Sequence, residues 1–156
     1  MKQTKIICGF PGVGKSHLYR NQMKYGLKIL DSDSSTFDKT EFPDNYIKHI
    51  KENIGKADVI LVSSHKEVRD ALVAEKLPHY FVHPCISMNM VYKKRYEDRG
   101  SDEKFINLIM NNWDTWIREI LDEEPSIYRT NIKIVYDTMT NVVTSLFNIE
   151  TPNDIE

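Results

Sequence analysis

The chain has 156 residues, a length that suits a single domain built around one hydrophobic core. Hydrophobic residues make up 40% of it and charged residues 28%, which excludes a disordered chain. The formal net charge of -2 argues against a general electrostatic affinity for nucleic acid, although it leaves room for a local basic groove. No apolar run has the length of a signal peptide core or a membrane span, so we expect a cytoplasmic protein without a membrane partner.

The two cysteines, Cys8 and Cys85, both lie in short apolar runs that are typical of strands. We therefore expect buried free thiols rather than a disulfide or a metal-binding pair. Free thiols also fit the reducing interior of a cell.

Short runs rich in Ile, Val, Leu or Phe alternate with helical patterns along the chain. Such runs are typical of parallel strands that are buried on both faces and joined by helices. The predicted strands are residues 5–9, 27–31, 59–63, 79–83 and 132–136. Together they indicate an α/β fold with a parallel sheet.

Helices are predicted from apolar periodicity and from the residues that commonly begin and end helices. Their ranges are 14–23, 44–54, 66–76, 88–98 and 101–121. Ser101 is the expected N-cap of the last helix. A stripe of large apolar residues recurs on that helix at Ile106, Ile109, Trp113, Trp116, Ile117 and Ile120. We interpret the stripe as core, with a stacking surface at the tryptophans as the alternative, and residues 142–156 as a partly frayed tail.

A glycine-rich segment follows the first predicted strand, with the sequence Gly9-Phe10-Pro11-Gly12-Val13-Gly14-Lys15-Ser16. It matches the whole pattern G-x-x-x-x-G-K-[ST] and lies between a strand and a helix, the setting in which this motif binds nucleoside triphosphates. The glycines let several backbone N–H groups face one anion, and the following helix adds a favourable dipole. The predicted ATP contacts are Gly12, Val13, Gly14, Lys15, Ser16 and His17.

Two aspartates, Asp31 and Asp33, end the second predicted strand. Carboxylates at the carboxyl ends of parallel strands face the crevice where such folds bind ligands, and side-chain alternation points both the same way. We assign Asp33 as the base and contact for an acceptor hydroxyl, and Asp31 with Ser16 as the residues that hold Mg²⁺. An Asx turn or a helix cap is the alternative for both aspartates.

The third predicted strand has no acidic residue at its end, which disfavours an ATPase motor. Ser64 and His65 follow it, where an acceptor could bind. Arg69 comes one helical turn after His65 and could bind an acceptor phosphate through two parallel hydrogen bonds. The alternatives are a helix cap at His65 and an ion pair between Arg69 and a surface acid such as Glu67 or Asp70.

The predicted helix 88–98 and the turn after it carry arginines on an apolar face. The residues at helical spacing on this face are Met88, Val91, Tyr92, Arg95, Tyr96 and Arg99. Arginines that point toward the protein need an anionic partner, which we predict to be the triphosphate. Arg95 and Arg99 would then stabilise charge on the transferring phosphoryl group. A structural pair with an acid such as Asp102 is the alternative.

These motifs together resemble the small P-loop kinases, which include nucleoside monophosphate kinases, shikimate-type kinases and the kinase domain of polynucleotide kinase. The segments are similar to those of small kinases from bacteriophages and Gram-positive bacteria. The resemblance covers roughly residues 5–140. It implies a three-layer P-loop NTPase fold, a strand order 2-3-1-4-5 and a short lid at 88–104. It also implies Lys15, Asp33, Arg95 and Arg99 as catalytic residues, with ATP as donor and Mg²⁺ as cofactor.

Two departures from that group limit the identification of the acceptor. The acceptor-binding segment, residues 34–54, is short, and the Gly-Phe-Pro-Arg of adenylate kinases is replaced by Val62-Ser63-Ser64-His65. We expect a kinase for a nucleotide or nucleoside monophosphate, with the loop at 137–140 as a positional candidate for the adenine site. A kinase for a hydroxyl of DNA or RNA and a nucleotide-binding regulator without turnover are the alternatives. The nucleic-acid alternative would use a surface of lysines, Lys48, Lys51, Lys56 and Lys66.

Overall fold

The computed structural model describes residues 3–150 as an α/β fold with one parallel sheet. The strands are β1 (Lys5–Gly9), β2 (Ile29–Asp31), β3 (Val59–Val62), β4 (His79–Pro84) and β5 (Arg129–Ile134). They pair in the order β2-β3-β1-β4-β5, and each pair is parallel. The predicted α/β class, parallel sheet and strand order are confirmed.

Burial explains why some strand boundaries were easier to predict than others. Every residue of β3 is buried, as are all residues of β1 after Lys5. Since side chains alternate between the two faces, both faces of these central strands are covered, and the sequence is continuously apolar. The edge strand β5 buries only Ile134 and begins at Arg129 rather than at residue 132. Because the first half of β5 is polar, the apolar pattern did not show where the strand begins.

The helices are α1 (Lys15–Arg20), α2 (Asp44–Asn53), α3 (Lys66–Ala74), α4 (Asn89–Asp98), α5 (Glu103–Asp122) and α6 (Met139–Leu146). Short 3₁₀ segments lie at Gln22–Tyr25, Ser34–Thr36 and Ile86–Met88. Helix α1 therefore ends earlier than predicted, because the chain tightens into a 3₁₀ turn before β2. Helix α1 packs beside α6, α2 beside α3, and α4 beside α5.

The apolar stripe of α5 is core along most of its length. The buried members are Ile106, Ile109, Trp113, Ile117 and Ile120. The Trp113 indole N–H donates to the Ile86 carbonyl at 2.8 Å. Trp116 differs, because it is only half-buried. The core interpretation holds for the stripe apart from this tryptophan.

Two predictions near helix ends were wrong. The N-cap of α5 is Asp102 rather than Ser101, since the Asp102 carboxylate accepts the Lys104 N–H at 3.0 Å. The chain from residue 142 to Leu146 is not frayed but completes α6, in which Val143 is fully buried. Residues 151–156 of the predicted tail lie outside the described residues.

Both cysteines are free, as predicted, but only one is fully buried. Cys8 lies in β1, and burial raises the pKa of its thiol to about 12, so it is unreactive at neutral pH. Cys85 follows β4 instead of lying within a strand and is half-buried, with its Sγ 3.3 Å from the Ser87 hydroxyl. Over residues 3–150, no helix combines the length and the apolar character needed to cross a membrane.

Candidate phosphate-binding site

The loop from β1 into α1, residues 9–16, presents backbone N–H groups that have no acceptor. Within the described chain, this holds for Gly12, Gly14, Lys15, Ser16 and His17. The Val13 N–H instead donates to the Phe10 carbonyl at 3.2 Å and closes a turn. Unpaired N–H groups at the start of a helix form a favourable site for an anion. The 9–16 loop therefore has the geometry that the motif predicts.

Two glycines of this loop adopt conformations that disfavour other residues. Gly12 has a φ of +89°, and a Cβ there would lie 2.8 Å from Tyr96 Cε1 and 3.1 Å from Tyr92 Cδ2. Gly14 has a φ of +102°. Both φ values belong to the left-handed region that glycine tolerates best. At Gly12 the missing side chain also lets helix α4 pack directly on the loop.

Lys15 lies folded along the loop, with its Nζ donating to the Gly9 carbonyl at 2.9 Å. Burial is the main cause of a lowered pKa at Lys15. The carboxylates of Asp31 and Asp33 oppose that shift, whereas the Arg99 guanidinium adds to it. Since charges affect a pKa in this way only at short range, the fold brings these predicted site residues into one region.

The two aspartates after β2 are exposed, and they differ in their contacts. Asp33 Oδ1 accepts the Ser35 N–H at 2.9 Å and caps the 3₁₀ turn, which chiefly lowers the pKa of this carboxyl. The predicted cap alternative therefore exists at Asp33. A lowered pKa makes Asp33 a weak base, so it is better suited to orient a hydroxyl than to deprotonate it. Asp31 has no side-chain partner in the same range.

Arg95 of helix α4 contacts the loop, whereas Arg99 lies just after the helix and donates from its Nε to the Ser101 hydroxyl at 2.7 Å. Arg95 Nη1 donates to the Gly12 carbonyl at 3.1 Å, and its guanidinium lies 4.5 Å from the Tyr92 ring centroid. Arg99 is exposed and lies over the Tyr96 ring at 5.0 Å. In the described part of the chain, neither arginine forms an ion pair, so the alternative pair with Asp102 is not observed.

Tyrosines, which sequence reasoning did not assign to the site, hold α4 against the loop. Tyr92 and Tyr96 are fully buried, and the Tyr96 hydroxyl donates to the Pro11 carbonyl at 2.7 Å. Their spacing of four residues on a helix that also carries arginines was the available signal. On the same predicted face, Val91 is 41% exposed, so the face is narrower than expected.

Arg69 is not presented to the site as a free cation. It is 7% exposed, its Nη1 donates to the Ser64 carbonyl and its Nη2 pairs with Glu123. Glu123 also pairs with Arg129. The ion-pair alternative is thus the one observed for Arg69, with a partner distant in sequence rather than Glu67 or Asp70.

His65 precedes α3 as its N-cap residue but makes no side-chain cap bond. Its ring is exposed, and it has no partner in the part of the chain that the structure describes. Ser64 is half-buried beside it. An acceptor-binding role for these two residues stays a prediction.

The loop before α6 lies against the 9–16 loop. The Met139 N–H donates to the Val13 carbonyl at 2.8 Å, and a Cβ on Gly14 would lie 3.7 Å from Thr138 Cβ. The adenine site at 137–140 stays a prediction.

Mg²⁺ would have few protein ligands here, since residues 3–150 contain no group of three His, Cys, Asp or Glu side chains placed to hold a metal. Mg²⁺ as a cofactor therefore stays a prediction. Ser16 and Asp31 are both exposed, and within the described chain their side-chain oxygens are unpaired.

Most of the lysines that would form a nucleic-acid surface are in ion pairs. Lys51 lies 2.8 Å from Glu75, Lys66 lies 2.6 Å from Asp70, and Lys48 lies 4.0 Å from Glu52. The paired acids offset the positive charge that a phosphate backbone would need.

No model of a known protein family matches this chain, and no curated protein matches it. Among solved structures, that of an uncharacterized protein from Eubacterium ventriosum ATCC 27560 is similar to it. The two chains are 14% identical, the match covers 95% of this chain and 97% of that one, and the TM-score is 0.48. A similarity this weak carries no argument, so function rests on the residues of the site.

Proposed function

We propose that this protein has the P-loop NTPase fold and is a kinase that transfers the γ-phosphoryl group of ATP to a small acceptor. A nucleotide or nucleoside monophosphate fits best. The observation that carries the proposal is that the unpaired N–H groups of the 9–16 loop lie beside Arg95, which donates to the Gly12 carbonyl and forms no ion pair within residues 3–150. An arginine without a counter-charge keeps its remaining N–H donors for a phosphate, which a guanidinium binds through strong charge-assisted hydrogen bonds.

Each part of the loop has a role in holding the donor. The free N–H groups of the 9–16 loop bind the phosphate oxygens, and Lys15 exchanges the Gly9 carbonyl for the β- and γ-phosphates. Ser16 and Asp31 would hold Mg²⁺, which supplies charge neutralisation when bound. Asp31 and Asp33 offset the effect of burial on Lys15 and so help to keep it protonated.

Phosphoryl transfer needs positioning and charge stabilisation more than covalent help from the protein. An acceptor oxygen forms a bond to the γ-phosphorus while the bond to the β–γ bridging oxygen breaks, and ADP leaves. Arg95 and Arg99 stabilise the charge on the moving group. Asp33 accepts a hydrogen bond from an acceptor hydroxyl, and any proton released passes to it or to solvent.

The test is a transfer screen with γ-labelled ATP against nucleotides, nucleosides and single-stranded oligonucleotides. We expect a labelled product from at least one mononucleotide, and a rate that falls in Asp33→Asn. Binding of ATP with no labelled product from any acceptor would instead establish the non-catalytic regulator. A product confined to oligonucleotides, with an affinity that falls steeply with salt, would establish the nucleic-acid kinase.

A further inference from the structure

A cavity of about 320 Å³ lies between the start of α3 and the length of α5, beside the 9–16 loop. We call it the α3–α5 cavity; its lining includes Pro11, His65, Phe105, Leu108 and Trp116. The volume lies near the lower end of the range for small-molecule sites, which runs from about 300 to 1,000 Å³. The residues of α5 that line it have no role in the function proposed above.

The α5 wall of this cavity offers an aromatic surface that the core does not use. Trp113 is 2% exposed and its indole N–H is bonded to Ile86. Trp116, three residues later, is half-buried, and within residues 3–150 its indole N–H has no acceptor. Leu108 is 55% exposed on the same wall. Trp116 is the one residue of the α5 stripe that is not buried. Its exposed face therefore belongs to the cavity wall and not to the core.

Polar groups lie on the opposite side of the cavity, where β3 leads into α3. Ser64 and His65 are both there, and the His65 ring makes no hydrogen bond within the described chain. The backbone of this segment is fixed, since the Ser64 carbonyl accepts from buried Arg69, which Glu123 holds in place. Apolar walls with a few fixed polar groups are typical of sites for flat heteroaromatic rings, which have apolar faces and polar edges.

The cavity also adjoins the phosphate site directly. Phe10 and Pro11 of the 9–16 loop form part of its lining. The Arg99 guanidinium lies 5.6 Å from the Phe105 ring centroid and at the same time acts on the pKa of Lys15. A ring in the cavity would therefore place its substituents next to the transferring phosphoryl group.

We propose that the α3–α5 cavity binds a heteroaromatic ring of the phosphoryl acceptor. The ring packs against Trp116 and Phe105, and its polar edge faces Ser64 and His65. The inference rests on the proposed function, because it names the chemistry of that acceptor. A free mononucleotide and a nucleotide of a single strand present the same ring, so the experiment includes both.

Binding is measured by calorimetry on the full chain carrying Lys15→Ala, so that the 9–16 loop does not dominate the signal. The probes are AMP, CMP, GMP, TMP, a short oligothymidylate, and ribose 5-phosphate, which lacks a ring of this kind. We expect saturable binding of at least one ring-bearing probe and none of ribose 5-phosphate. Equal binding of ribose 5-phosphate, or no binding of any ring-bearing probe, would overturn the inference.

The matched variants are Leu108→Gln and Leu121→Gln, since the two leucines lie on the same helix and are 55% and 56% exposed. We expect Leu108→Gln and Trp116→Ala to weaken ring binding about fivefold or more, the lower end of the effect of removing a stacking contact. Leu121 does not line the cavity, so Leu121→Gln is expected to leave ring binding unchanged. An equal loss in the two leucine variants would argue against the cavity.

The two proposals fail in different ways. Ring binding that Leu108→Gln weakens, without transfer to any acceptor, supports the cavity and overturns the kinase. Transfer whose acceptor KM is unchanged in both Leu108→Gln and Trp116→Ala supports the kinase and overturns the cavity.

Discussion

The two halves of the candidate site are built differently. The donor half is the 9–16 loop clamped by α4, where Gly12 lies against Tyr92 and Tyr96 with no room for a Cβ. The acceptor half consists of the ends of β2 and β3, where Asp31 and His65 are exposed and, within residues 3–150, have no side-chain partner. Under the proposed function, the closely packed donor half holds the constant ligand ATP, and the exposed acceptor half is ordered by the acceptor when it binds. The following variants test this difference, from the largest expected effect to the smallest.

Lys15→Ala should have the largest effect on function. Removal of the ammonium that we propose to bind the β- and γ-phosphates is expected to lower kcat/KM by about 100- to 1,000-fold, the loss typical of one transition-state contact. Steady-state kinetics and ATP titration measure it. Lys24→Ala, an exposed lysine in the 3₁₀ turn after α1, is the control and should change neither quantity. If Lys15→Ala binds ATP as tightly as the wild type, the 9–16 loop does not bind the phosphates as proposed.

Gly12→Ala tests the rigidity of the donor half. The new methyl group would lie 2.8 Å from Tyr96 Cε1 at a φ of +89°, so we expect the free energy of unfolding to fall by about 3 kcal/mol. Gly100→Ala is the matched control, since its φ is +76° and a Cβ there meets nothing within 4 Å. The control should lose about 1 kcal/mol from backbone strain alone. If urea denaturation shows the same loss of stability in both variants, helix α4 shifts to make room for the methyl group on residue 12.

A pair of tyrosines compares the two halves directly. The Tyr96 hydroxyl donates to Pro11 in the donor half, and the Tyr46 hydroxyl donates to the Ser32 carbonyl at 2.7 Å and accepts the Ser63 N–H at 3.1 Å. Each change to Phe should cost about 1 kcal/mol of stability. Tyr96→Phe should raise the KM for ATP, and Tyr46→Phe the KM for the acceptor. If both variants affect the same substrate, the division into halves is wrong.

The smallest effect concerns Asp33 and pH. Its folded pKa lies below the unfolded value because it accepts the Ser35 N–H, so it stabilises the fold above the unfolded pKa of about 3.9. That stabilisation is lost as pH falls through the folded pKa. The difference in urea midpoint between wild type and Asp33→Ala should therefore be largest at neutral pH and shrink below about pH 4. If the difference in urea midpoint stays constant down to acid pH, the Asp33 carboxylate does not stabilise the fold by capping the 3₁₀ turn.

Sequence reasoning performed best where one segment carries the whole signal. The free N–H groups of the 9–16 loop and the position of Arg95 beside it agree with expectations from motif and periodicity, and the strand order agrees with the one that the resemblance to small P-loop kinases implies. It was less successful where partners are distant in sequence. The ion pair of Arg69 with Glu123 joins residues that no local pattern connects, and Asp102 replaced Ser101 as a cap because either side chain suits that role.

The sequence by itself determined the unpaired N–H groups of the 9–16 loop, because the glycines of the motif shape the backbone within one strand–turn–helix unit. It also determined the α/β class, because buried parallel strands must be apolar throughout. Only the tertiary structure decided that Tyr92 and Tyr96 pack on the loop and that Trp116, the half-buried residue of its stripe, lines a cavity. Those features depend on which helices and loops pack against each other. The periodicity of a sequence shows that one face of a helix is apolar, but it does not show which element covers that face.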